Sequence, residues 1–383
     1  MLLETNDRIN GHSKTGLLVA GYQVEGDMRP EIISRIERFF DYDPASSTNE
    51  ISLARRDLLS DIMDEHFKLD LEAAKLESLL RRSVASQGGL ASIPFIPARL
   101  FKSHRFRSAP DEDIIYEIHS SGTSTAQPSR AGLDRGSALR QERALSRILS
   151  KIIDLRAPML LISRAESGRD IGVHVASAAA IRGVSRYSRD KSHFILSGGA
   201  NAKESFQKFL EKARDGGGCI FGFTPDVWDF AQMLPSSLFA SVEKITVLHG
   251  GGWKRLENRK VSRSEFRQAC QANLGASAVY DYYGMAEQVG SIFLECSAGW
   301  FHPSIFSDVL IRDAQSLLPK QGGEPGVLQV FSVLPTSYIG NSILTDDTGR
   351  LVHPSDCPCG QESPSFEVLG RLPRSEIRGC GNV

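Results

Sequence analysis

From Ile114 onward the chain alternates short apolar runs with amphipathic stretches, and this alternation constrains its fold more than any other feature. Strands interleaved with helices need crossover connections, which favours an α/β sheet over a helical bundle or an all-β sandwich. Ile114–Ile118 reads as a strand that runs directly into a Ser/Thr-rich turn. Leu145, Ile148, Leu149 and Ile152 form one helix face, and Phe206, Phe209, Leu210 and Ala213 form another. Met159–Ile162 and Cys219–Phe221 read as strands, and the strand Lys244–Leu248 runs into Gly250-Gly251-Gly252. Ser262 and Glu265 have the spacing of a capping box, opening a helix that stops at Gly275. Beyond about Ser307 the pattern turns to β: Val309–Arg312 and Val327–Leu334 flank a Gly/Pro-rich turn.

Upstream of this region the spacing is different. Residues 1–29 show no periodicity and read as an irregular arm. From Pro30 the apolar residues Ile32, Ile36 and Phe39, then Leu58, Leu59 and Ile62, recur at helical spacing until Gly88 and Gly89 end the run. The expected organisation is a helical preface over 30–90, an α/β core over 91–306, a β-rich subdomain over 307–371 and a tail over 372–383. A net charge of -1 gives no electrostatic case for binding nucleic acid or an anionic membrane surface. The start, Met1–Lys14, lacks the apolar core of a signal peptide, and no apolar run is long enough to span a bilayer. These features predict a cytoplasmic protein without a membrane span, whose six cysteines are thiols or ligands rather than a disulfide framework.

Four segments carry chemistry. His119-Ser120-Ser121-Gly122-Thr123-Ser124 follows a strand with hydroxyls and a glycine turn, a nest suited to phosphate oxygens, with Arg130 near to add charge. On its own such a loop is also what a solvated turn looks like. Gly250–Gly252 follows a strand, where a backbone without Cβ atoms lets a flat ligand approach closely; hinge glycines would read the same way. Asp281-Tyr282-Tyr283-Gly284-Met285-Ala286-Glu287 puts an aromatic, a glycine and a carboxylate together, which suits stacking on a purine and holding Mg²⁺ beside a triphosphate. Leu344–Gly349 adds the adjacent Asp346 and Asp347, able to accept from ribose hydroxyls. The plainer readings are core tyrosines and an acidic turn, but the four segments in this order point to a nucleotide site.

In that order they resemble the adenylate-forming superfamily, and within it the LuxE-type acyl-protein synthetases. The matching text is Ile93-Pro94-Phe95-Ile96-Pro97-Ala98-Arg99-Leu100-Phe101-Lys102, the Ser-Ser-Gly-Thr loop and Ile220–Thr224. It continues through His249–Lys254, Tyr283–Glu287, Thr336–Tyr338 with Ile343–Asp347, Leu369–Arg371 and Arg378-Gly379-Cys380. The resemblance implies a large adenylate-forming domain of mixed α/β sheets with a β-rich subdomain, and no small C-terminal domain. It implies ATP and Mg²⁺ as cofactors, with Ser120, Ser121, Gly122, Thr123 and Ser124 cradling phosphates. Gly250, Gly251, Gly252 and Tyr283 would frame adenine, Gly284 would belong to the same cofactor-binding set, Glu287 would hold Mg²⁺, Asp347 would bind ribose, and Arg371 would mark a hinge. Where the superfamily has a second glycine followed by Pro-Lys, this chain has Thr125 and then Gln127-Pro128-Ser129-Arg130.

The chain ends at Val383, soon after Arg371. The small domain that supplies a lysine in typical superfamily members is therefore missing from the sequence, a truncation that LuxE-type proteins share. In those proteins a cysteine near the C-terminus accepts the acyl group, a role that falls here on Cys380, between two glycines and near two arginines. The resemblance thus implies that a carboxylic acid, of the fatty class, is activated as acyl-AMP. The acyl group then goes to Cys380 or to a partner, whether reductase, transferase or carrier protein. Coenzyme A as acceptor and a degenerate nucleotide-binding scaffold are the competing readings. Cys296, His302, Cys357 and Cys359 supply four N/S ligands in two close pairs, the ligand count of a structural zinc site, although reduced cysteines beside a polar histidine would look alike. Phenylacetate-CoA ligase-like proteins carry similar pairs. Cys219 and Cys270 read as core thiols, and Phe221, Phe223 and Trp228 as candidates for an acyl-pocket wall.

Overall fold

The computed structural model describes residues 27–42, 48–120, 127–164, 174–196, 200–234 and 244–372. Nine helices are formed among them: α1 (Pro30–Arg38), α2 (Thr48–Leu69), α3 (Leu71–Val84), α4 (Leu100–Ser103), α5 (Arg135–Leu149), α6 (Ala176–Ser185), α7 (Ala202–Ala213), α8 (Thr224–Gln232) and α9 (Arg263–Leu274). The strands of the first half are β1 (Ile96–Pro97), β2 (Ile114–His119), β3 (Arg130–Asp134), β4 (Met159–Ser163), β5 (His174–Val175), β6 (Lys191–Ile195), β7 (Gly218–Phe223) and β8 (Ile245–Gly250). Those of the second are β9 (Ala276–Tyr283), β10 (Phe293–Glu295), β11 (Phe301–His302), β12 (Ser307–Arg312), β13 (Gly326–Ser332), β14 (Ser342–Val352) and β15 (Ser365–Arg371).

The helix ends follow local chemistry. Ser262 accepts from the Glu265 N–H at 3.2 Å, and Gly275 closes α9 in the left-handed region at φ 63°. Asp70 caps α3 through the N–H groups of Glu72 and Ala73, while its second oxygen takes the Arg107 N–H. The preface buries one face of each helix. Ile32, Ile36 and Phe39 are nearly inaccessible, each stabilising by about 1.5–3 kcal/mol relative to exposure. An ion pair from Arg55 to Asp308 and a guanidinium bond to the Ile305 carbonyl at 3.1 Å fasten α2 to β12.

One sheet runs through most of the molecule in the order β12-β13-β14-β15-β11-β10-β9-β8-β7-β4-β6, with β1 joined to β14. The run β6-β4-β7-β8-β9 is parallel, as crossover helices require. From β9 onward through β10, β11, β15, β14, β13 and β12 every pairing is antiparallel. β9 is therefore the strand where the two patterns meet. A second, three-stranded sheet, β3-β2-β5, carries the serine-rich turn between β2 and β3. The parallel strand β4 is buried at every position, as expected of a sheet covered on both faces. Helix α5 stops at Leu149, before Ile152, whose N–H bonds the Leu149 carbonyl in a turn. Among the described residues no helix is long and apolar enough to cross a membrane.

Candidate nucleotide site and metal cluster

The parallel strands β4, β7, β8 and β9 end at Ser163, Phe223, Gly250 and Tyr283, so their carboxyl ends share one edge of the sheet. That edge is where open α/β sheets bind ligands. Tyr283, at the end of β9, sits among Phe293, Phe301 and Phe366 with ring centroids 6.1, 6.3 and 6.0 Å away. Its hydroxyl donates to Asp347 Oδ2 at 2.8 Å. Arg371 Nε lies 3.4 Å from Asp347 Oδ1, because β14 and β15 pair these two residues in register. Burial, then the Asp347 charge, push the Tyr283 phenol well above its ordinary range, so it stays a donor. Three of the residues singled out in the sequence, Tyr283, Asp347 and Arg371, are thus one connected group.

Glu287 lies in a 3-10 turn, Ala286–Gln288, and is 8% exposed. Burial raises its carboxyl pKa, and the Ser129 side chain is the first group opposing that rise. No lysine, arginine or histidine among the described residues forms an ion pair with it. A buried carboxylate left without a cation is costly, by several kcal/mol, and is suited to receiving one.

Ser120 closes the base of the serine-rich turn: its N–H donates to the Ser129 carbonyl at 3.0 Å and its hydroxyl accepts from the Ser129 N–H at 2.9 Å. Arg130 starts β3 opposite His119. Ser121, Gly122, Thr123, Ser124 and Thr125 lie outside the described residues, as does Cys380.

The three glycines after β8 differ from one another. A Cβ on Gly250 would fall 2.5 Å from the Tyr282 ring, which itself stacks on Phe221 at 6.2 Å, so this face is filled by the protein. Gly251 and Gly252 take φ of 78° and 58°, where glycine is favoured, and the space beside Gly252 is open. At Gly284 a Cβ would come 3.2 Å from Ile292 Cγ2. Phe221 is fully buried, and Trp228 packs against Trp253 and Phe266 at 6.2 and 6.1 Å.

Behind the glycines lies a polar ladder. Thr224 Oγ1 is 3.1 Å from the Gly250 carbonyl and 3.1 Å from His249 Nδ1. A carbonyl can only accept, so the threonine hydrogen goes there, and His249 donates from Nδ1, which leaves Nε2 with the lone pair. Burial pushes the His249 pKa down to about 3, keeping the ring neutral. Asp281 Oδ1 lies 3.6 Å from the same Nδ1, and burial, followed by the Glu295 charge, pushes its pKa up to about 8. Glu295 accepts from the Asp281 N–H at 3.1 Å and pairs with Arg263 and Arg267 at 3.0 and 2.9 Å.

Cys296 follows Glu295 and belongs to a second constellation. The ligand atoms of Cys296, His302, Cys357 and Cys359 all lie within 4.8 Å of one another. Cys357 Sγ is 3.6 Å from Cys296 Sγ, 3.3 Å from Cys359 Sγ and 3.5 Å from His302 Nε2. Tetrahedral bonds of about 2.3 Å to sulfur and about 2.0 Å to nitrogen put donors about 3.5–3.8 Å apart, so the cluster has the spacing of a closed metal site. A disulfide would need about 2.05 Å. Ser363 Oγ, 3.0 Å from His302 Nδ1, fixes the ring so that Nε2 faces the sulfurs. By contrast, Cys219 and Cys270 are buried in apolar surroundings that push both thiols up to about 12.

The profile of the acyl-protein synthetases named LuxE matches residues 30–383. The chain belongs to the LuxE family of acyl-protein synthetases. A long-chain-fatty-acid–luciferin-component ligase of Aliivibrio fischeri is 26% identical over 146 residues, which is 37% of this chain and 38% of that protein. The match to this relative therefore spans well under two thirds of its length. Among solved structures, an open conformation of 2-hydroxyisobutyryl-CoA ligase in complex with 2-HIB-AMP and CoA matches with TM-score 0.59 and 15% identity, over 86% of this chain and 74% of that one. The same ligase in its postadenylation state with 2-HIB-AMP gives TM-score 0.60 and 15% identity, over 86% and 72%. These matches show that this LuxE-family chain shares the fold of that ligase.

In the sequence His249 and Asp281 stand only within motifs and carry no assigned role. Their signal was present: a histidine ending an apolar strand, and an aspartate opening the Tyr-Gly-x-x-Glu segment. The Ser129–Glu287 approach had no such signal, since it depends on β3 packing against the turn Ala286–Gln288.

Proposed function

We propose that this chain activates a carboxylic acid of the fatty class with ATP, forming acyl-AMP, and passes the acyl group to a protein thiol. The observation that carries this reading is the joining of Tyr283, Asp347 and Arg371, with the buried Glu287 nearby, at the edge of the sheet where its parallel strands end. Asp347 would accept from the ribose hydroxyls, oriented by the Tyr283 hydroxyl on one oxygen and the Arg371 guanidinium on the other. Gly251 and Gly252 would leave room for adenine. Glu287 would hold Mg²⁺, which when bound offsets charge on the phosphate oxygens. Ser120 through Ser124 and Arg130 would hold the phosphates.

In the first step a carboxylate oxygen of the acid bonds to the α-phosphorus, and the bond to the bridging oxygen breaks. Pyrophosphate leaves with the electron pair, and no proton needs to move. Positioning and charge stabilisation therefore carry the step. In the second step a thiolate sulfur bonds to the acyl carbon and AMP leaves with the electron pair. The thiol would be that of Cys380 or of a partner protein such as a reductase, transferase or carrier. Cys296, His302, Cys357 and Cys359 would hold a zinc ion that fastens the β10–β11 hairpin to the segment before β15. That is a structural role, close in space to the strands bearing Tyr283 and Asp347.

ATP–pyrophosphate exchange with a panel of acids tests the activation step. Exchange dependent on one acid class supports it, and ATP binding without exchange for any acid defeats it in favour of a scaffold. Labelled acyl retained on wild type but not on Cys380→Ser assigns the acceptor. Equal retention on both removes Cys380 from the mechanism, and product only with coenzyme A moves the acceptor there.

A further inference from the structure

In the nucleotide site as described, carboxylates outnumber Arg130, the cation assigned to the phosphates. Glu287, Asp346 and Asp347 gather there, and a triphosphate brought beside them needs cations to overcome their repulsion. The arginines on β14's flank are already engaged: Arg99 Nε donates to Asp346 Oδ1 at 2.7 Å, and Arg371 pairs with Asp347 at 3.4 Å. One lysine nearby is not engaged. Lys102 is exposed on α4 and makes no ion pair with any described residue.

The fold holds α4 in place from two sides. β1 pairs in parallel with β14, Ile96 opposite Ile343 and Pro97 opposite Leu344, and the Ala98 N–H donates to the Leu344 carbonyl at 2.9 Å. Helix α4 follows at once and also packs against β3, the strand that leaves the serine-rich turn at Arg130. β3 in turn packs on the Ala286–Gln288 turn that carries Glu287. Lys102 is therefore borne by a short helix close to the start of β14 and packed on β3, the strand that also packs on the turn carrying Glu287. Its ammonium favours the ionised form of Glu287, while Asp346 opposes it, so both are within electrostatic reach of that carboxylate.

We propose that Lys102 binds the β- and γ-phosphates of ATP and neutralises the pyrophosphate as it leaves. This rests on the reading of the site as one that forms acyl-AMP. As the bond from the α-phosphorus to the bridging oxygen breaks, its electron pair stays on pyrophosphate, and a compact ammonium at that end stabilises the developing charge without giving up a proton. This also gives the Ile93–Lys102 segment a reason to be held so tightly against β14.

The test uses the full chain and the variants Lys102→Ala and Lys102→Arg, with exchange assays and calorimetric titrations of Mg-ATP, pyrophosphate and AMP. Because Lys102 is exposed and unpaired, both variants should melt with wild type. Lys102→Ala is expected to lower exchange at saturating ATP about 100-fold, the scale for losing one charge-stabilising donor. The KM for the acid should not change, and Lys102→Arg should restore part of the rate. Pyrophosphate and ATP should bind at least about 10-fold more weakly to Lys102→Ala, with AMP binding unaltered. Exchange within twofold of wild type, or an equal loss of AMP and ATP binding, overturns the proposal. If wild type binds ATP but shows no exchange, the adenylation reading falls and the titrations alone decide Lys102: equal pyrophosphate binding by wild type and Lys102→Ala refutes it.

Discussion

Replacing Tyr283 with phenylalanine separates the role of its hydroxyl from that of its ring. The ring is caged by Phe293, Phe301 and Phe366, all part of the core, so Phe fills the same volume and leaves no cavity. What is lost is one hydrogen bond of 2.8 Å to a carboxylate. Bonds to charged groups contribute about 1.5–3 kcal/mol, whereas a neutral one contributes about 1. Asp347 keeps the Arg371 contact, but Arg371 is 75% exposed at its side chain, so that pair is worth at most about 1 kcal/mol and cannot hold the carboxylate by itself. If Asp347 positions the ribose, loosening it should cost about 1.4 kcal/mol in nucleotide binding, a rise of about 10-fold in the KM for ATP. The rate at saturating ATP should change much less, because the phosphate contacts are untouched.

A double-mutant cycle gives the sharper measurement. Tyr283→Phe, Asp347→Ala and the double variant are compared by exchange kinetics and urea unfolding. The coupling between the two positions should be about 1.5–3 kcal/mol, since each single change removes the same bond. Additivity within about 0.5 kcal/mol in ATP affinity would refute the idea that the phenol orients the carboxylate. A KM for ATP unchanged in Tyr283→Phe would do the same.

Glu287→Gln should abolish magnesium-dependent exchange while leaving the fold intact. Because burial raises the Glu287 pKa, exchange in the wild type should fall on acidification at a higher pH than an ordinary carboxylate allows, as the metal-binding anion is lost. For stability the sign is opposite: this group favours the folded state while protonated, and that contribution is lost as pH rises through its folded-state pKa. Purified protein should carry about one zinc per chain, and Cys357→Ser should lose it together with several degrees of melting temperature; less than about half a zinc in the wild type counts against the cluster as a metal site. Gly250→Ala should destabilise by about 1–3 kcal/mol, since its Cβ would strike the Tyr282 ring at 2.5 Å, and urea titration reads this directly. Arg312, inaccessible to solvent, donates to Gln87 and to the Leu317 and Ala91 carbonyls at 2.6, 2.7 and 2.8 Å and also to Gln329. Arg312→Met should therefore leave buried acceptors unpaired and cost about 3 kcal/mol or more in the same assay.

Local chemistry was legible in the sequence wherever neighbouring residues decide it. Ser262 and Glu265 announced the start of α9, and Gly275 its end, because a cap is made by residues three or four positions apart. The apolar run of β8 ends at Leu248, yet the strand continues to Gly250. His249 broke the hydrophobic pattern without breaking the ladder: its ring turns inward to Thr224 and Asp281, which supply the polar partners a buried imidazole needs. In the same way, Ile152 still packs on the core although α5 has ended, since a turn preserves the helical phase for one more residue. Periodicity reports which side chains face inward, and it does so more faithfully than it reports where hydrogen bonding stops.

The site is different in kind, because its parts meet through sheet register. Tyr283 and Asp347 are 64 residues apart, with β15, β11 and β10 between their strands in the sheet order, so their contact requires that part of the sheet to curl back on itself. The two halves of the cysteine–histidine cluster meet through strand pairing: β11 pairs Phe301 with Phe366 of β15, which brings His302 to the segment holding Cys357 and Cys359. Thus the strands that unite the cysteines also close the phenylalanine cage around Tyr283, since Phe301 and Phe366 belong to both. A spacing argument could name the ligands and the tyrosine separately, but it could not reveal that they share a support. The shared support implies an order of failure. Losing the cluster should loosen the cage first, then the aim of the phenol at Asp347, and only then the binding of nucleotide.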